Sequence, residues 1–72
     1  MLEQRKRRLI RLDEVKQRTG LSRSTIYLWM EEERFPQSVK IGGYSTAWVE
    51  EDIDNWINTC IDESRNIEKQ FI

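Results

Sequence analysis

The sequence predicts an α+β fold that is mostly helical, with three helices and a two-stranded β-hairpin. Three observations predict it. A serine-led helix start at Ser22 follows a turn that contains Gly20. Two β-prone runs flank the glycine pair at 42–43, which is typical of a hairpin. Apolar residues then recur at helical spacing across residues 53–61, which indicates an amphipathic helix.

Length and composition indicate one small domain. The chain has 72 residues, no histidine and a single cysteine, Cys60. A core of this size leaves only a few kcal/mol of net stability, so a second copy or DNA would help the fold to persist. One cysteine excludes a disulfide within the chain, and no cluster is available to bind zinc. This composition suits a reducing cytoplasm. No apolar run reaches membrane-spanning length, and residues 1–4 do not resemble a secretion signal.

Charge is distributed unevenly along the chain, although its net value is only −1. Residues 1–40 hold ten Lys and Arg against six Asp and Glu, which gives +4. Residues 41–72 hold two against seven, which gives −5. A near-neutral protein with this asymmetry can present a basic face to phosphates, and its acidic half can attract the basic half of another copy. Charge therefore permits DNA binding without requiring it.

A basic cluster precedes the first predicted element and consists of Arg5, Lys6, Arg7 and Arg8. Such a cluster can follow the phosphate backbone or enter a minor groove as an arm. A frayed, solvated terminus is an equally good interpretation. Residues 9–12 follow as a candidate strand that is too short for periodicity to decide.

The first helix is predicted to begin at Asp13, the expected N-cap, and to end before Gly20, which suits a left-handed residue at a helix end. Glu14 would place negative charge in the first turn, where the helix dipole favours it. Val15 is the expected core anchor, and residues 16–18 are expected to be solvated.

The second helix is predicted from Arg23 to about Glu33 and has clear start signals. Ser22 is a good N-cap, because its hydroxyl can accept a hydrogen bond from an orphaned amide in the first turn. Thr25 takes the slot that Glu or Gln fills in a full capping box, and Leu21 and Ile26 have the spacing of a hydrophobic staple. A helix, a glycine turn and a capped helix form the local pattern of a helix-turn-helix.

The second helix is predicted to have one apolar side and one polar side. Ile26, Trp29 and Met30 share the core-facing side at i, i+3, i+4 spacing. The outward side near the N-terminal end carries Arg23, Ser24, Thr25 and Tyr27. Arg can bond bidentately to guanine, Ser and Thr can bond to bases or phosphates, and a helix N-terminus favours phosphate. Ordinary capping and solvated residues are the alternative, and the preceding helix and turn favour DNA contact over it.

A β-hairpin is predicted after Phe35-Pro36, which ends the second helix because proline cannot continue the hydrogen-bond ladder. Its strands are residues 39–41 and 44–48, and the glycines at 42–43 are interpreted as turn residues because neither phosphate-binding glycine motif is present. Val39 and Ile41 would pack on one face while Lys40 could reach a phosphate from the other. After a helix-turn-helix, such a hairpin is a wing.

The last helix opens with acidic residues at 50–52, where the dipole favours them. Its apolar stripe consists of Ile53, Trp56, Ile57, Cys60 and Ile61. Cys60 is predicted to be a small buried hydrophobe, because no histidine could activate it as a nucleophile. Asp54 and Asp62 are expected to be solvated, and the polar tail after Glu63 is compatible with a longer helix, a frayed end or a segment docked on a second chain. No arrangement of nucleophile and base suggests an enzyme.

Short motifs extend from about residue 8 to residue 61. They are Arg8-Leu9-Ile10-Arg11-Leu12, Glu14-Val15, Thr19-Gly20-Leu21-Ser22-Arg23-Ser24-Thr25-Ile26-Tyr27, Glu32, Arg34-Phe35-Pro36, Val39-Lys40-Ile41-Gly42, Ala47-Trp48 and Trp56. Together they resemble the AlpA family of prophage regulators, which belongs with the excisionase-like and MerR-like winged-helix proteins. The resemblance implies a small DNA-binding protein of a phage or integrated element, in the bacterial cytoplasm and associated with the nucleoid, with no catalysis and no cofactor. Family members act as transcriptional regulators, often of integrase genes, or as excision factors that bend DNA for a recombinase.

The chain is expected to divide into a basic arm at residues 1–7, a winged helix-turn-helix at residues 8–63 and a C-terminal tail at residues 64–72. By the resemblance, the helix from Ser22 onward would enter the major groove, and the hairpin from Lys40 to Ala47 would be the wing over the adjacent backbone. Double-stranded DNA is the expected partner, with a recombinase or integrase, RNA polymerase and further copies on adjacent sites as additional candidates.

Three positions depart from the family pattern. Leu28 stands where a basic residue is common, Glu33 stands where glycine commonly ends the second helix, and Tyr44 stands near the wing tip where arginine is usual. The first and third departures remove phosphate-binding charge, which we expect residues 5–8 to offset in part. Near-neutral charge, Leu28, Tyr44 and the acidic last helix support an alternative: a protein-interaction module or anti-repressor that does not bind DNA.

Overall fold

A computed structural model of the chain describes the backbone of residues 7–70 and the side chains of residues 7–66. Its elements in chain order are β1 (Leu9–Ile10), α1 (Leu12–Thr19), α2 (Arg23–Glu31), β2 (Val39–Ile41), β3 (Ser45–Val49) and α3 (Glu50–Gln70). The predicted combination of three helices with a small antiparallel sheet is confirmed. No helix in this described part of the chain is long and apolar enough to cross a membrane.

The sheet has three strands in the order β1-β3-β2, one more than the predicted hairpin. β1 pairs antiparallel with β3, with Ile10 opposite Trp48. Both of these side chains are fully buried, and the amide of Glu50 donates to the carbonyl of Arg8 at 2.8 Å. The candidate strand at residues 9–12 is thus confirmed in its first two residues, although so short a run gives no periodic signal of its own.

The first helix begins at Leu12, so the prediction that Asp13 is its N-cap is wrong. Arg11 occupies the cap position with extended backbone and makes no capping bond through its side chain. Its carbonyl accepts from the amide of Val15 at 3.0 Å, which places Asp13 inside the first turn. The helix dipole still favours the carboxylate of Asp13 at this position in the first turn. Gly20 ends the helix in the left-handed region, at φ 76°, as predicted.

The second helix starts as predicted and ends two residues earlier than predicted, at Glu31. The hydroxyl of Ser22 accepts from the amide of Thr25 at 3.2 Å, which confirms the N-cap. Glu33 has φ 60°, the left-handed region where glycine is favoured. Its amide donates to Met30, and the next amide donates to Trp29 at 2.7 Å. These two bonds form a Schellman ending with glutamate in the glycine position.

The hairpin of β2 and β3, which we call the wing, turns through residues 42–44. Gly42 and Gly43 have φ 65° and 93°, so both positions require a residue without the Cβ penalty. Tyr44 completes the turn and is 98% exposed. Val39 was expected to pack, yet it is 37% exposed because β2 is the edge strand and little lies over it.

The core gathers one or two side chains from most elements. Its buried members are Ile10, Val15, Ile26, Phe35, Trp48 and Ile53. Helix α3 contributes Ile53, with Trp56 and Ile57 packed partly against the cluster. Beyond them the apolar stripe leaves the core: Cys60 is exposed, contrary to the prediction, and Ile61 is 40% exposed. The reason is length, because a helix of 21 residues extends about 31 Å and continues past the body of so small a domain.

Candidate nucleic-acid interface

The N-terminal end of α2 presents the polar face that the sequence predicts. Ser22, Arg23 and Ser24 are exposed, Thr25 is half-buried, and Tyr27 is 37% exposed. The face begins here because Ser22 fixes the first turn of the helix and Ile26 anchors the opposite side in the core. An exposed, well-capped helix end of this kind can enter a DNA groove.

Tyr27 connects this polar face to the core. Its ring packs edge-on against the buried indole of Trp48, with ring centroids 6.1 Å apart and planes at 67°. The guanidinium of Arg23 lies over the Tyr27 ring, 5.2 Å from the centroid. Cation–π contact restricts Arg23 without using any of its hydrogen-bond donors. Arg23 is therefore ordered and still able to bind an external acceptor.

The two serines at the start of α2 differ in what they can offer a ligand. Ser22 accepts from the amide of Thr25 and donates to the Thr25 hydroxyl at 3.0 Å. Its hydroxyl is therefore committed to capping the helix. Ser24 is exposed, and its hydroxyl has no hydrogen-bond partner among the residues that the structure describes. Of the two, Ser24 has its full bonding capacity available.

A cleft of about 300 Å³, which we call the wing cleft, separates α2 from the wing. Its lining comprises Arg11, Leu12, Asp13, Arg23, Tyr27, Tyr44, Ser45, Thr46 and Trp48. Three predicted contact residues meet here: Arg23, Tyr27 and Tyr44. The other predicted contact residues that the structure describes lie outside its lining: Arg7, Arg8, Ser22, Ser24, Thr25 and Lys40.

Arg11 is a member of this cleft that the sequence did not identify as a site residue. Its Nε donates to the carbonyl of Thr46 on β3 at 3.1 Å, which bridges the start of α1 to the wing. Alternation with the buried Ile10 indicates that Arg11 points outward. No sequence signal reveals its partner, because a backbone carbonyl 35 residues away leaves no mark on residue identity.

Lys40 is exposed on the wing and lies opposite Thr46 in the β2–β3 register. Cross-strand neighbours share one face of a sheet. Lys40 therefore projects from the same face as Thr46, and its ammonium can reach a phosphate near the wing. Tyr44 stands at the wing tip with an exposed side chain and no positive charge.

The predicted basic arm lies only partly within the described residues. Arg5 and Lys6 fall outside them, and Arg7 is exposed. Arg8 donates to Glu50 at 2.9 Å and to Glu14 at 3.3 Å, although its side chain is 57% exposed. The structure thus places Arg8 in an ion-pair cluster instead of an isolated arm, and two carboxylates already compensate its charge.

Arg18 is the centre of the same cluster, contrary to the prediction that it is solvated. It donates to Glu14 at 2.8 Å, to Glu50 and to Asp54 at 2.9 Å. Asp54 was expected to be solvated; its side chain is 52% exposed and also forms this ion pair. We call Arg8, Glu14, Arg18, Glu50 and Asp54 the arginine–carboxylate cluster. It exists because β1, α1 and the start of α3 converge at one corner of the fold.

Ionisation in the cluster follows from these bonds. Hydrogen bonding from Arg18, with further bonds and charge from Arg8, holds the pKa of the Glu50 carboxyl below its ordinary value. Hydrogen bonds to Glu14 and Glu50 raise the pKa of Arg18, and a hydrogen bond to Glu50 with the charge of Glu14 raises the pKa of Arg8. Glu50, Arg18 and Arg8 are therefore charged at neutral pH.

Five of the described arginines differ in whether a carboxylate binds them; Arg7 and Arg65 are exposed and belong to neither set. Arg8, Arg18 and Arg34 have carboxylate partners. Arg11 and Arg23 have no carboxylate partner among the described residues, and both line the wing cleft. A guanidinium already paired with a carboxylate has less to offer a phosphate. Two arginines without carboxylate partners therefore lie together between α2 and the wing.

A second concave surface, the aromatic groove, lies on the other side of α2. Its cavity of about 680 Å³ is lined chiefly by Leu21, Trp29, Phe35, Pro36, Trp56 and Cys60. Trp56 donates from Nε1 to the carbonyl of Arg34 at 2.9 Å, which fixes the loop after α2 to α3. The guanidinium of Arg34 covers the Trp29 ring at 4.7 Å. This surface carries apolar area and little positive charge, unlike the wing cleft.

Residues 8–61 match the family described as "Prophage CP4-57 regulatory protein (AlpA)". The chain is 37% identical to "DNA-binding transcriptional activator AlpA" of Escherichia coli (strain K12) over 57 residues, 71% of this chain and 81% of that relative. It is 40% identical to "Uncharacterized protein ORF88" of Enterobacteria phage P4 over 50 residues, 69% of this chain and 57% of that relative. The match thus spans little more than half of the phage protein. No solved structure matches the chain.

Proposed function

This chain belongs to the AlpA family of prophage regulatory proteins, and we propose that it is a sequence-specific, double-stranded DNA-binding regulator of a phage or integrated element. The observation that carries the proposal is the exposed start of α2, where Arg23 is ordered over Tyr27 and Tyr27 is anchored on Trp48. The name of the Escherichia coli relative, a DNA-binding transcriptional activator, supports the same function.

In the proposed complex, the first turns of α2 lie in the major groove. Arg23 makes bidentate bonds to guanine, since the fork of a guanidinium matches the two acceptors of that base. Ser24 bonds to a base edge or phosphate with its free hydroxyl, and Thr25 and Tyr27 flank it. Ser22 contributes through the capped helix end, whose amides favour a phosphate.

The wing supplies contacts to the adjacent backbone. Lys40 binds phosphate through charge, and Tyr44 can donate a hydrogen bond from the exposed turn. Arg5, Lys6 and Arg7 follow the backbone as an arm, and Arg8 adds less because Glu14 and Glu50 compensate its charge. These contacts position the protein, whereas the α2 contacts carry sequence information.

Two finer roles are compatible with this binding mode. The chain regulates transcription of integrase-type genes with RNA polymerase as partner, or it acts as an excision factor that bends DNA beside a recombinase, with further copies on adjacent sites. The relative's name favours the first role. Measuring the bend angle of the bound duplex separates them, because only the excision role needs a strong bend.

The aromatic groove supports a second candidate, a protein-interaction module or anti-repressor. The exposed apolar area beside Trp29 and Trp56 supports this candidate, together with the exposed Leu28 on α2. This candidate predicts that the protein does not select among duplexes. It also predicts that Cys60→Glu, which places charge on the groove without touching the core, abolishes binding to the partner.

Selection from a randomised duplex library tests the main proposal, because it requires no candidate target sequence. We expect enrichment of one site, and an affinity for that site about 10³-fold or more above random duplex at physiological salt. Affinity should fall linearly with the logarithm of salt concentration, because phosphate contacts release counterions. Failure to enrich any site would refute the proposal and favour the protein-interaction candidate.

A further inference from the structure

Arg11 joins the start of α1 to the wing. It lies between β1 and α1, and its Nε–H is bonded to the carbonyl of Thr46 in the wing. A guanidinium has five N–H donors, so four remain on its two Nη atoms. Arg11 is exposed and has no carboxylate partner among the residues that the structure describes.

The bond to Thr46 also fixes how Arg11 can bind. With Nε occupied, the open edge of the guanidinium is the Nη1–Nη2 fork, which matches two oxygens of a phosphate. A tethered arginine loses less side-chain freedom on binding than an untethered one. The guanidinium of Arg11 is therefore already oriented for a phosphate in the unbound protein.

The surroundings of Arg11 select an anion. Arg23 lines the same cleft from α2, and Tyr27 and Tyr44 bring phenolic donors. The Asp13 carboxylate also lines the cleft and opposes an anion, which leaves one net positive charge from the two arginines. One net charge suits a single phosphodiester better than a phosphate monoester, which carries about two negative charges.

We propose that the wing cleft binds one backbone phosphodiester of duplex DNA, held by the Nη1–Nη2 fork of Arg11. The inference rests on the proposed DNA-binding function and adds a backbone contact that sits between the α2 and wing contacts. The contact holds the DNA backbone at a set distance from the wing, because Arg11 is bonded to the wing at Thr46. Arg11 therefore helps to position the protein along the duplex and has no base preference of its own.

Three variants test the assignment on the full chain with the selected duplex. Arg11→Gln removes the charge and keeps an amide donor for the Thr46 carbonyl. Arg11→Lys keeps the charge and loses the planar fork. Arg65→Ala is the matched control, because Arg65 is an exposed arginine on α3 that does not line the cleft. Unchanged far-UV circular dichroism and thermal midpoint establish that each variant is folded.

The first readout is the salt dependence of affinity. For Arg11→Gln the slope of log affinity against log salt should decrease in magnitude by about 0.9, the value for one lost phosphate contact. The base preference in library selection should stay the same. Arg11→Lys and Arg65→Ala should keep the wild-type slope. An unchanged slope for Arg11→Gln would overturn the inference.

The second readout locates the phosphate. Each phosphate of the selected duplex is replaced singly by a neutral methylphosphonate, and affinity is measured for the wild type and for Arg11→Gln. At one position for each bound copy, we expect the replacement to weaken the wild type and to leave Arg11→Gln unaffected. Equal losses for both proteins at every position would overturn the inference. Millimolar inorganic phosphate should not compete, because a free monoester lacks the α2 and wing contacts; effective competition would point to a free-phosphate site and against the DNA backbone.

The result for the wild type separates the two claims. If the wild type selects a duplex and the Arg11 variants behave like it, the wing-cleft inference fails while the proposed function stands. If the wild type selects no duplex at all, the proposed function fails and the wing-cleft inference fails with it.

Discussion

The ring of Tyr27 packs edge-on against the buried indole of Trp48, at a centroid distance of 6.1 Å. Tyr27 belongs to the face of α2 that we assign to DNA, whereas Trp48 is a fully buried residue of the wing strand β3. The contact therefore fixes the proposed base-reading helix against the wing. A base-reading surface needs such support, because side chains that are loosely held lose more entropy on binding.

Tyr27→Ala should lower both stability and DNA affinity. It removes the edge-on contact with Trp48 and the ring beneath Arg23, an expected loss of about 1–2 kcal/mol in unfolding free energy. Tyr27→Phe is the matched control, since it keeps both ring contacts and removes only the hydroxyl. Thermal unfolding and affinity measurements on both variants check this. If Tyr27→Phe were as destabilised as Tyr27→Ala, the ring contacts would not be what stabilises the helix end.

Lys40→Ala should weaken binding to all duplexes by a similar factor. Lys40 is exposed on the wing and is expected to meet a phosphate, so the salt slope should decrease in magnitude by about 1. Fluorescence anisotropy with the selected and random duplexes over a salt series measures both effects. Lys16→Ala, an exposed lysine of α1 outside the wing, is the control and should leave the slope unchanged. A loss confined to the selected sequence would contradict the phosphate assignment.

Glu33→Gly should stabilise the fold. Glu33 has φ 60° and completes the Schellman ending of α2, a conformation that costs an L residue about 1 kcal/mol relative to glycine. The thermal midpoint should rise by about 4–8 °C for a domain of this size. Glu33→Ala is the control, because it removes the carboxylate and keeps the Cβ. If Glu33→Ala stabilised as much as Glu33→Gly, the repulsion between the carboxylate and the helix dipole would be the cause, not the backbone.

Acid should destabilise the protein through Glu50. Hydrogen bonds from Arg18 and Arg8 lower the pKa of Glu50 in the folded state, so its carboxylate adds stability at pH values above its ordinary, unfolded pKa. That contribution is lost as the pH falls through the lower folded pKa. Glu50→Gln should therefore be less stable than wild type at neutral pH, and the two thermal midpoints should converge in acid. Parallel curves would contradict the account, and Glu63→Gln, an exposed carboxyl of α3, should follow the wild type throughout.

Local signals predicted local structure well. The N-cap at Ser22, the left-handed Gly20 and the hairpin turn at the glycine pair each depend on a few neighbouring residues, and all three are confirmed. The boundary errors have local causes too. Arg11 replaces Asp13 as the cap of α1 because the preceding strand already holds its backbone extended. Glu33 ends α2 early because it adopts the left-handed conformation despite its side chain.

Contacts between residues that are distant in the chain could not be predicted from the sequence. The position of Arg18 on α1 predicted a solvated side chain. Its partners Glu50 and Asp54 belong to α3, so these ion pairs form only when α3 packs beside α1 in the fold. Cys60 continues a helical stripe whose period is correct, but periodicity does not say where the body of the domain ends. Arg11 bonds to a backbone carbonyl, which no residue type encodes. The assignment of Ser22 to Tyr27 and of the wing to DNA remains a prediction.

The most direct test of the central claim is the specificity ratio of Arg23→Ala, measured as affinity for the selected duplex divided by affinity for random duplex. If the start of α2 reads bases, the variant should lose about 1–3 kcal/mol on the selected site, a factor of roughly 5 to 150, and much less on random DNA. Its library selection should relax at one guanine. A ratio and a selected sequence identical to those of the wild type would contradict the placement of α2 in the major groove.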